Sequence, residues 1–484
     1  MKRHTKHRWS ALCKFSLLLA APLVLANAMD AGQAQRRPNI IYINADDLGW
    51  MDLSFQGSTY YETPNIDRLA SDGIAFTDAY APAANCAPSR ACVISGLYPQ
   101  RHGVYTVATS ARGQAKDRKL IPTTNTTILD DSFVTMAEAL KAGGYTTIHL
   151  GKWHLGKDPL TQGFDINFGG SHQGGPYRGG NYLSPYDYPN LEQAEPGEHL
   201  TDRLGDEAIA FIKAHTSASS ASGKDQPFFM HFAAFAVHTP LVAKPELIER
   251  YKQKDGNDAH YNATYAAMIH SLDENVGRIL QTLDELGLNE NTLVLFTSDN
   301  GGVYKLTRQW PLRAGKGAYF EGGIRVPLFV KWTGHIQPGQ ISHVPVTGLD
   351  YYPTFLEAAG VAVPAGLELD GNSLLPLLTD AGTIEARPLF WHFPIYLQAG
   401  NAETHDLLFR TRPGSVIRLG DWKLHQYFED GGLELYHLSD DIGEKKNLAA
   451  QYPEKVQELL ALLKDWRVAT DAPVPSELNP KYQP

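Results

Sequence analysis

Short apolar runs rich in β-branched and aromatic residues recur along this chain, and amphipathic helical stretches separate them. Residues 39–44, 145–150, 228–234, 292–297 and 327–331 read as buried strands. Residues 65–72, 88–94, 133–142, 206–215 and 261–286 read as helices. In the last of these, Met268, Ile269, Leu272, Val276, Ile279, Leu280 and Leu283 recur at helical spacing. Pro88 suits a first helical turn, and Gly73 and Gly96 suit helix ends. Residues 217–223, all Ser, Ala or Gly, read as a loop. This alternation predicts an α/β fold: a large mixed, mostly parallel sheet between helices.

From residue 389 the pattern changes. Residues 389–393, 416–419, 422–427 and 433–438 are short strands between Gly/Asp turns, followed by a helix over 453–470. They predict a smaller antiparallel sheet with a terminal helix. A length of 484 residues fits this division, since a single modest core covers less. The expected organisation is an α/β domain over 37–385 and an α+β subdomain over 386–484. Residues 157–199 lack periodicity and are rich in Gly, Tyr and Pro, as segments lining or covering a site often are.

The N-terminus reads as an export signal. Lys2, Arg3, Lys6, Arg8 and Lys14 precede or open the apolar stretch 15–25, which ends at Ala26-Asn27-Ala28. Residues 1–28 are therefore expected to be cleaved, leaving the protein periplasmic or extracellular. The stretch is short for a bilayer span, so no stable membrane insertion is expected. The segment holds five basic residues and no acidic one, so its loss takes the net charge from −10 to −15. That balance excludes a general nucleic-acid binder. Three cysteines exclude a disulfide scaffold. Cys86 and Cys92, six apart in an exported chain, leave one disulfide conceivable.

Oxygen donors stand where strands end. Asp46-Asp47 follow the first strand, and Asp299-Asn300 follow another. Sites in open parallel sheets gather at the carboxyl ends of strands. Three carboxylates and an amide oxygen suit a hard cation, although Asp and Asn also favour turns for their own sake. In Asn85-Cys86-Ala87-Pro88-Ser89-Arg90, a helix beginning at Cys86 would aim N–H groups and the positive dipole end at the sulfur. That is an anion site with a reactive thiol, or a buried structural cysteine. Lys152 and His154 end a strand, His238 follows another, and Lys316 lies in a Gly-flanked basic loop. With a metal and a helix N-terminus, these groups describe a pocket for a tetrahedral oxyanion ester.

Cys86-Ala87-Pro88-Ser89-Arg90 with Ser95-Gly96 resembles the type I sulfatase signature. Residues 144–154, Gly-Tyr-Thr-Thr-Ile-His-Leu-Gly-Lys-Trp-His, resemble the family's second signature, with Leu150 a mild departure. Residues 39–49, 65–70, 298–301 and 322–327 follow the family in the same order. The resemblance implies an alkaline-phosphatase-like fold with 37–385 as its catalytic domain. It implies that a formylglycine-generating enzyme oxidises Cys86 to 3-oxoalanine (formylglycine), which removes the possible disulfide. It also implies one Ca²⁺ held by Asp46, Asp47, Asp299, Asn300 and the modified Cys86.

The implied reaction is sulfate ester hydrolysis. A hydrated formylglycine oxygen attacks sulfur, and Arg90 stabilises that oxygen. Lys152 and Lys316 neutralise the sulfate. His238, with Lys316, protonates the leaving alcohol, and His154 takes the proton that lets the aldehyde re-form. Ser171-His172 resembles a further contact near the sulfate. Tyr177, Arg178, Arg308, Trp310, His392 and Tyr396 are candidates for sugar contacts. Residues 390–394 resemble some polysaccharide sulfatases, so the expected substrate is a sulfated oligo- or polysaccharide attacked from its end. The strongly negative chain must then focus positive charge locally. Two alternatives stand beside this reading. One is a phosphoester or phosphonate hydrolase of the same superfamily, and the other is a non-catalytic glycan-binding homologue.

Overall fold

The computed structural model describes residues 36–177, 181–191, 195–379 and 382–484. The export-signal expectation over 1–28 and the candidate Arg178 lie outside them. Residues Arg37–Pro484 form one compact unit. Along the chain the strands are β1 (Asn39–Ala45), β2 (Ile74–Phe76), β3 (Ala79–Tyr80), β4 (Thr146–Gly151), β5 (Ile166–Phe168), β6 (Phe228–Ala233) and β7 (Thr292–Ser298). They continue as β8 (Leu328–Trp332), β9 (Gln340–Ser342), β10 (Val346–Thr347), β11 (Leu389–Phe393), β12 (Gly414–Leu419), β13 (Trp422–Tyr427) and β14 (Leu433–His437).

Eight strands form the large sheet in the order β5-β4-β6-β1-β7-β8-β2-β9. The middle four, β4-β6-β1-β7, are all mutually parallel, with Ile41 opposite Met230 on one side and Val294 on the other. Their carboxyl ends therefore share one edge. β8 runs antiparallel to both β7 and β2, which makes the sheet mixed, as expected. β1 is buried along its whole length because both faces are covered. Ile41 and Ile43 pack toward the helices Leu200–Ser222 and Ala263–Glu285. Ile40 and Tyr42 pack the other way, toward Cys86–Ser95, Met136–Ala142 and Tyr351–Ala358. The period-two alternation of β structure, applied to an all-apolar run, fills two cores at once.

Several helix boundaries differ from the sequence reading, and the helix expected from 206 already begins at Leu200. The helix expected to end at 215 runs on to Ser222 and stops at Gly223 in the left-handed region, φ +63°. Alanines keep it helical, and Thr216 and Ser217 donate back to the carbonyls of Ile212 and Lys213. The helix expected from 133 begins at Met136, because Thr135 and Glu138 make a reciprocal capping box. Within the aperiodic stretch 157–199, β5 adds an edge strand beside β4.

β11–β14 form the expected antiparallel sheet. Ile417, Leu424 and Leu435 pack on Val456, Leu459 and Leu463 of the helix Pro453–Ala469. The opposite face turns toward the main body, where Trp391 and Val416 join Tyr80 and Ile324. A buried ionic network crosses the same junction. Lys423 Nζ lies 2.9 Å from Glu321 Oε1 and 2.9 Å from Glu444 Oε1. Glu321 Oε2 accepts from Tyr80 Oη at 2.7 Å and from Arg325 Nη1 at 3.1 Å. Among the described residues no helix is long and apolar enough to cross a membrane.

Burial opposes ionisation of Glu321, but Lys423, Arg325 and Arg418 outweigh it and hold its pKa at about 2. A carboxyl depressed in the folded state stabilises above its unfolded value, and that contribution is lost as pH falls through the folded one. Lys423→Met should cost about 3–5 kcal/mol in denaturant unfolding at pH 7, since two buried carboxylates lose their shared cation. The cost should shrink as pH falls from about 4.5 toward about 2, where Glu321 protonates. A cost independent of pH would assign Lys423 to packing alone.

Candidate active site

The shared edge of β4, β6, β1 and β7 collects the predicted residues. Asp46 and Asp47 leave the end of β1, Asp299 and Asn300 leave β7, and Lys152 leaves β4. His238 follows β6 by a short turn in which Asp46 N–H donates to the Ala236 carbonyl and Val237 N–H donates to the Asp46 carbonyl. The helix Cys86–Ser95 is buried throughout, with Asn85 extended at its N-cap and Cys86 as its first residue. Cys86 and Cys92 are both free thiols, so the conceivable disulfide is not formed.

Buried opposite charges pair off around Cys86. Arg90 Nε meets Asp299 Oδ2 at 2.8 Å, and its Nη1 donates to the Lys152 carbonyl at 3.0 Å. Lys152 Nζ meets Asp46 Oδ2 at 2.7 Å. Lys316 Nζ meets Asp47 at 2.6 Å (Oδ1) and 2.8 Å (Oδ2). Asn300 Nδ2 donates to Asp47 Oδ1 at 2.8 Å. Desolvation raises the Asp299 carboxyl to about 6 against the pull of Arg90. Asp47 is equally buried, yet Lys316 and His238 overcome desolvation and hold it well below the usual carboxylate range.

The histidines stand neutral. Burial lowers His238 to about 4. Its Nδ1–H donates to the Thr239 carbonyl at 2.6 Å, leaving Nε2, 3.7 Å from Asp47 Oδ2, as the atom that exchanges protons. Burial and then the Lys152 and Arg90 charges push His154 far below its ordinary value. His154 sits at φ +65°, and Asp47 and Ala314 are likewise non-glycine residues in the left-handed region. Such strain gathers where surrounding structure fixes a site. Gly174 is required beside His154, since a Cβ there would come within 2.5 Å of the imidazole.

The site fits a metal. Asp46 Oδ1 and Asn300 Oδ1 are buried and have no hydrogen-bond partner. Ligand atoms of Asp46, Cys86 and Asp299 lie within 4.8 Å of one another, as do those of Asp46, Asp47 and His238. Orphaned oxygens among three carboxylates are a hard-cation donor set. The acids balance Arg90, Lys152 and Lys316, so a bound oxyanion ester would leave excess negative charge that a divalent cation would reverse.

Several substrate candidates fall out differently. The His172 ring lies 6.2 Å from that of His154, and the Ser171 carbonyl accepts His154 N–H at 2.9 Å. Tyr177 is half exposed, with its hydroxyl 3.5 Å from His238 Nδ1. Arg308 stacks on Tyr304, and Trp310 is exposed with its indole N–H on Glu403. His392 does not belong to the set. It is buried in the second sheet, with Nδ1 on Ser415 Oγ and Nε2 on the Pro473 carbonyl, so neither nitrogen is available to a sugar. Tyr396 is also core, its hydroxyl shared between Glu429 and Leu120 N–H.

Sequence reasoning missed Asp52. Its carboxylate accepts from Gly49 N–H, Tyr265, Thr307 and Gln309, tying the turn after β1 to the loop beyond Asn300. A lone Asp six residues from Asp46 gives no signal of this until the fold closes.

A family model described as Sulfatase matches residues 38–361. The chain belongs to the sulfatase family. A second model, N-sulphoglucosamine sulphohydrolase, C-terminal, matches residues 315–469. A sulfatase of Formosa agariphila is 36% identical, covering 96% of this chain and 95% of that one. Human N-acetylgalactosamine-6-sulfatase is 31% identical over 93% of this chain and 89% of its own length. The crystal structure of Ps i-CgsB in complex with k-i-k-neocarrahexaose superposes with a TM-score of 0.74 at 29% identity, covering 92% of this chain and 95% of that one. The protein is thus a sulfuric ester hydrolase whose expected alkaline-phosphatase-like architecture is present.

Arg90 neutralises one carboxylate outright and reaches toward a second, its Nη2 lying 3.9 Å from Asp46 Oδ1. In metal-free protein Arg90→Met should lower stability by about 3–5 kcal/mol, because buried charge is left uncompensated. Thermal melts with and without added divalent metal check this, and the loss should be smaller with metal present.

Proposed function

We propose that this sulfatase removes O-sulfate from the end of a sulfated oligo- or polysaccharide, using one Ca²⁺ and a formylglycine made from Cys86. The observation that carries the reading is Cys86 at the start of a buried helix, beside Asp46 and Asp299 and the unpartnered oxygens of Asp46 and Asn300. Human N-acetylgalactosamine-6-sulfatase and the neocarrahexaose complex of Ps i-CgsB support a carbohydrate substrate.

Asp46, Asp47, Asp299, Asn300 and residue 86 would hold the cation. When present, the cation supplies Lewis acidity and the hydrated aldehyde supplies the attacking oxygen. The chain's own groups do the rest. Lys152 and Lys316 bring positive charge to sulfate oxygens that gain charge as the ester breaks. Arg90 keeps the first turn of its helix fixed against Asp299, so residue 86 is held in register with the carboxylates. His238 presents Nε2 as proton carrier for the leaving alcohol. His154 is neutral, with Nδ1 buried and unpartnered, and is suited to accept the proton released as sulfate departs.

A formylglycine-generating enzyme is then the required maturation partner, and export past the signal at 1–28 fits a polymer substrate found outside the cytoplasm. In protein co-produced with that partner, Cys86→Ala should lower sulfate release, read by ion chromatography, by at least a thousandfold while leaving the melting curve close to wild type. Retained turnover would overturn the nucleophile assignment. Chelation at low pH should lower activity, and Ca²⁺ should restore it better than Zn²⁺. Phosphate release exceeding sulfate release from matched aryl esters would favour the phosphoester reading. Glycan binding without turnover by converted protein would favour the binding one.

A further inference from the structure

Most arginines around the second sheet have visible partners. Arg412 is gripped by the carboxylates of Asp406 and Glu429. Arg418 pairs with Asp78 at 2.7 Å. Arg313 donates to the carbonyls of Glu403 and Glu444 and stacks on Phe320. Unlike Arg412 and Arg418, Arg112 and Arg410 have no carboxylate partner among the described residues, and both flank the segment that runs from Tyr396 to Ala399.

Arg410 lies against the loop that carries Lys316. Its Nη1 donates to the Lys316 carbonyl at 3.2 Å, and its Nε donates to the Ala399 carbonyl at 3.2 Å. The approach requires Gly317, at φ +87°, where a Cβ would come within 2.9 Å of Arg410 Cδ. Arg112 comes from the other side of the same segment. Its Nε donates to Gln398 Oε1 at 3.2 Å and its Nη1 to the Val107 carbonyl at 3.3 Å. Backbone bonds bring the two strands of chain together: Tyr396 N–H to Ser110, and Arg410 N–H to Leu397.

Each guanidinium thus spends two of its five N–H groups, all on neutral oxygens. Neither has a carboxylate within ion-pair distance among the described residues. Both are partly buried, and each feels the other. Burial and the neighbouring Arg112 hold Arg410 below its ordinary pKa, while Asp47, within electrostatic reach, works the other way. Asp47 cannot serve as the partner, because Lys316 and Asn300 already occupy it. Two like charges within electrostatic reach of each other, partly buried and without a counter-ion among the described residues, are costly unless an anion joins them.

We infer that Arg112 and Arg410 form a second oxyanion subsite beside the reaction centre, which holds a further sulfate ester or carboxylate of the same substrate while the scissile sulfate sits at Lys316. Planar guanidinium forks suit the paired oxygens of either group. The inference rests on the proposed carbohydrate sulfatase reading and narrows it to substrates carrying two anionic groups. It also answers the charge problem posed by the sequence, since a chain at −15 would keep local positive charge where a polyanion must dock.

The test uses matured full-length enzyme and three matched oligosaccharides: one with a single sulfate, one with an added sulfate on the adjoining position or residue, and one with an added uronate carboxylate. Wild type should show kcat/KM at least about tenfold higher on one of the two dianionic members, mostly through KM. The preferred member tells sulfate from carboxylate. In Arg112→Met and Arg410→Met that preference should fall to within about twofold of unity, whatever happens to the absolute rates. Should Arg410→Met fail to fold for want of its bond to the Lys316 carbonyl, Arg112→Met, which does not touch that loop, carries the test. A wild-type preference near unity, or one unchanged in the variants, overturns the subsite. Silence on all three and on an aryl sulfate would overturn hydrolysis itself. Titrating the same oligosaccharides into Cys86→Ala protein would then still decide the arginines, by the same ratio of affinities.

Discussion

Three carboxylates with almost no exposure to water must find cations, and the rest of this structure follows from where those cations come from. Asp46 takes Lys152 from the end of β4, Asp299 takes Arg90 from a helix, and Asp47 takes Lys316 from a distant loop. Each pair joins segments far apart in sequence. Each is also exacting, since a buried charge without its partner costs several kcal/mol. The parallel arrangement of β4, β6, β1 and β7 makes the meeting possible by bringing four carboxyl ends to one edge.

The second sheet is tied into that arrangement rather than hung beside it. Glu321, just beyond the Lys316 loop, is locked to Lys423 of β13, and Arg313, just before it, donates to the Glu444 carbonyl. Arg410 adds a bond to the Lys316 carbonyl itself. The loop that neutralises Asp47 is therefore pinned from the C-terminal side at three points. Glu321 and Lys423 are fully buried and compensate each other, which makes the junction rigid there and sensitive to loss of either member.

Much of this was legible beforehand. Strand runs such as 39–44 and 228–234 were readable because both faces of a central parallel strand are apolar. Asp46, Asp47, Asp299 and Asn300 were readable because they directly follow such strands. The sulfatase-like motifs then grouped Cys86, Arg90, Lys152 and His154. Less was readable where chemistry is carried by packing. His392 and Tyr396 look like sugar-binding aromatics in sequence, yet their polar atoms are used up inside the second sheet. Asp52, Arg112 and Arg410 carry no motif, because their importance lies in partners gained or lacking hundreds of residues away.

The sequence by itself determined the element types, the mostly parallel sheet with its antiparallel companion, the family, and the residues able to bind metal and oxyanion. Those follow from local periodicity and from short motifs, which are properties of neighbouring residues. The tertiary structure alone decided which acid meets which base, which aromatic is core, and which arginines are left without a counter-ion. Those depend on the closure of long loops, where burial sets the cost of every unpaired charge and no local pattern records the outcome.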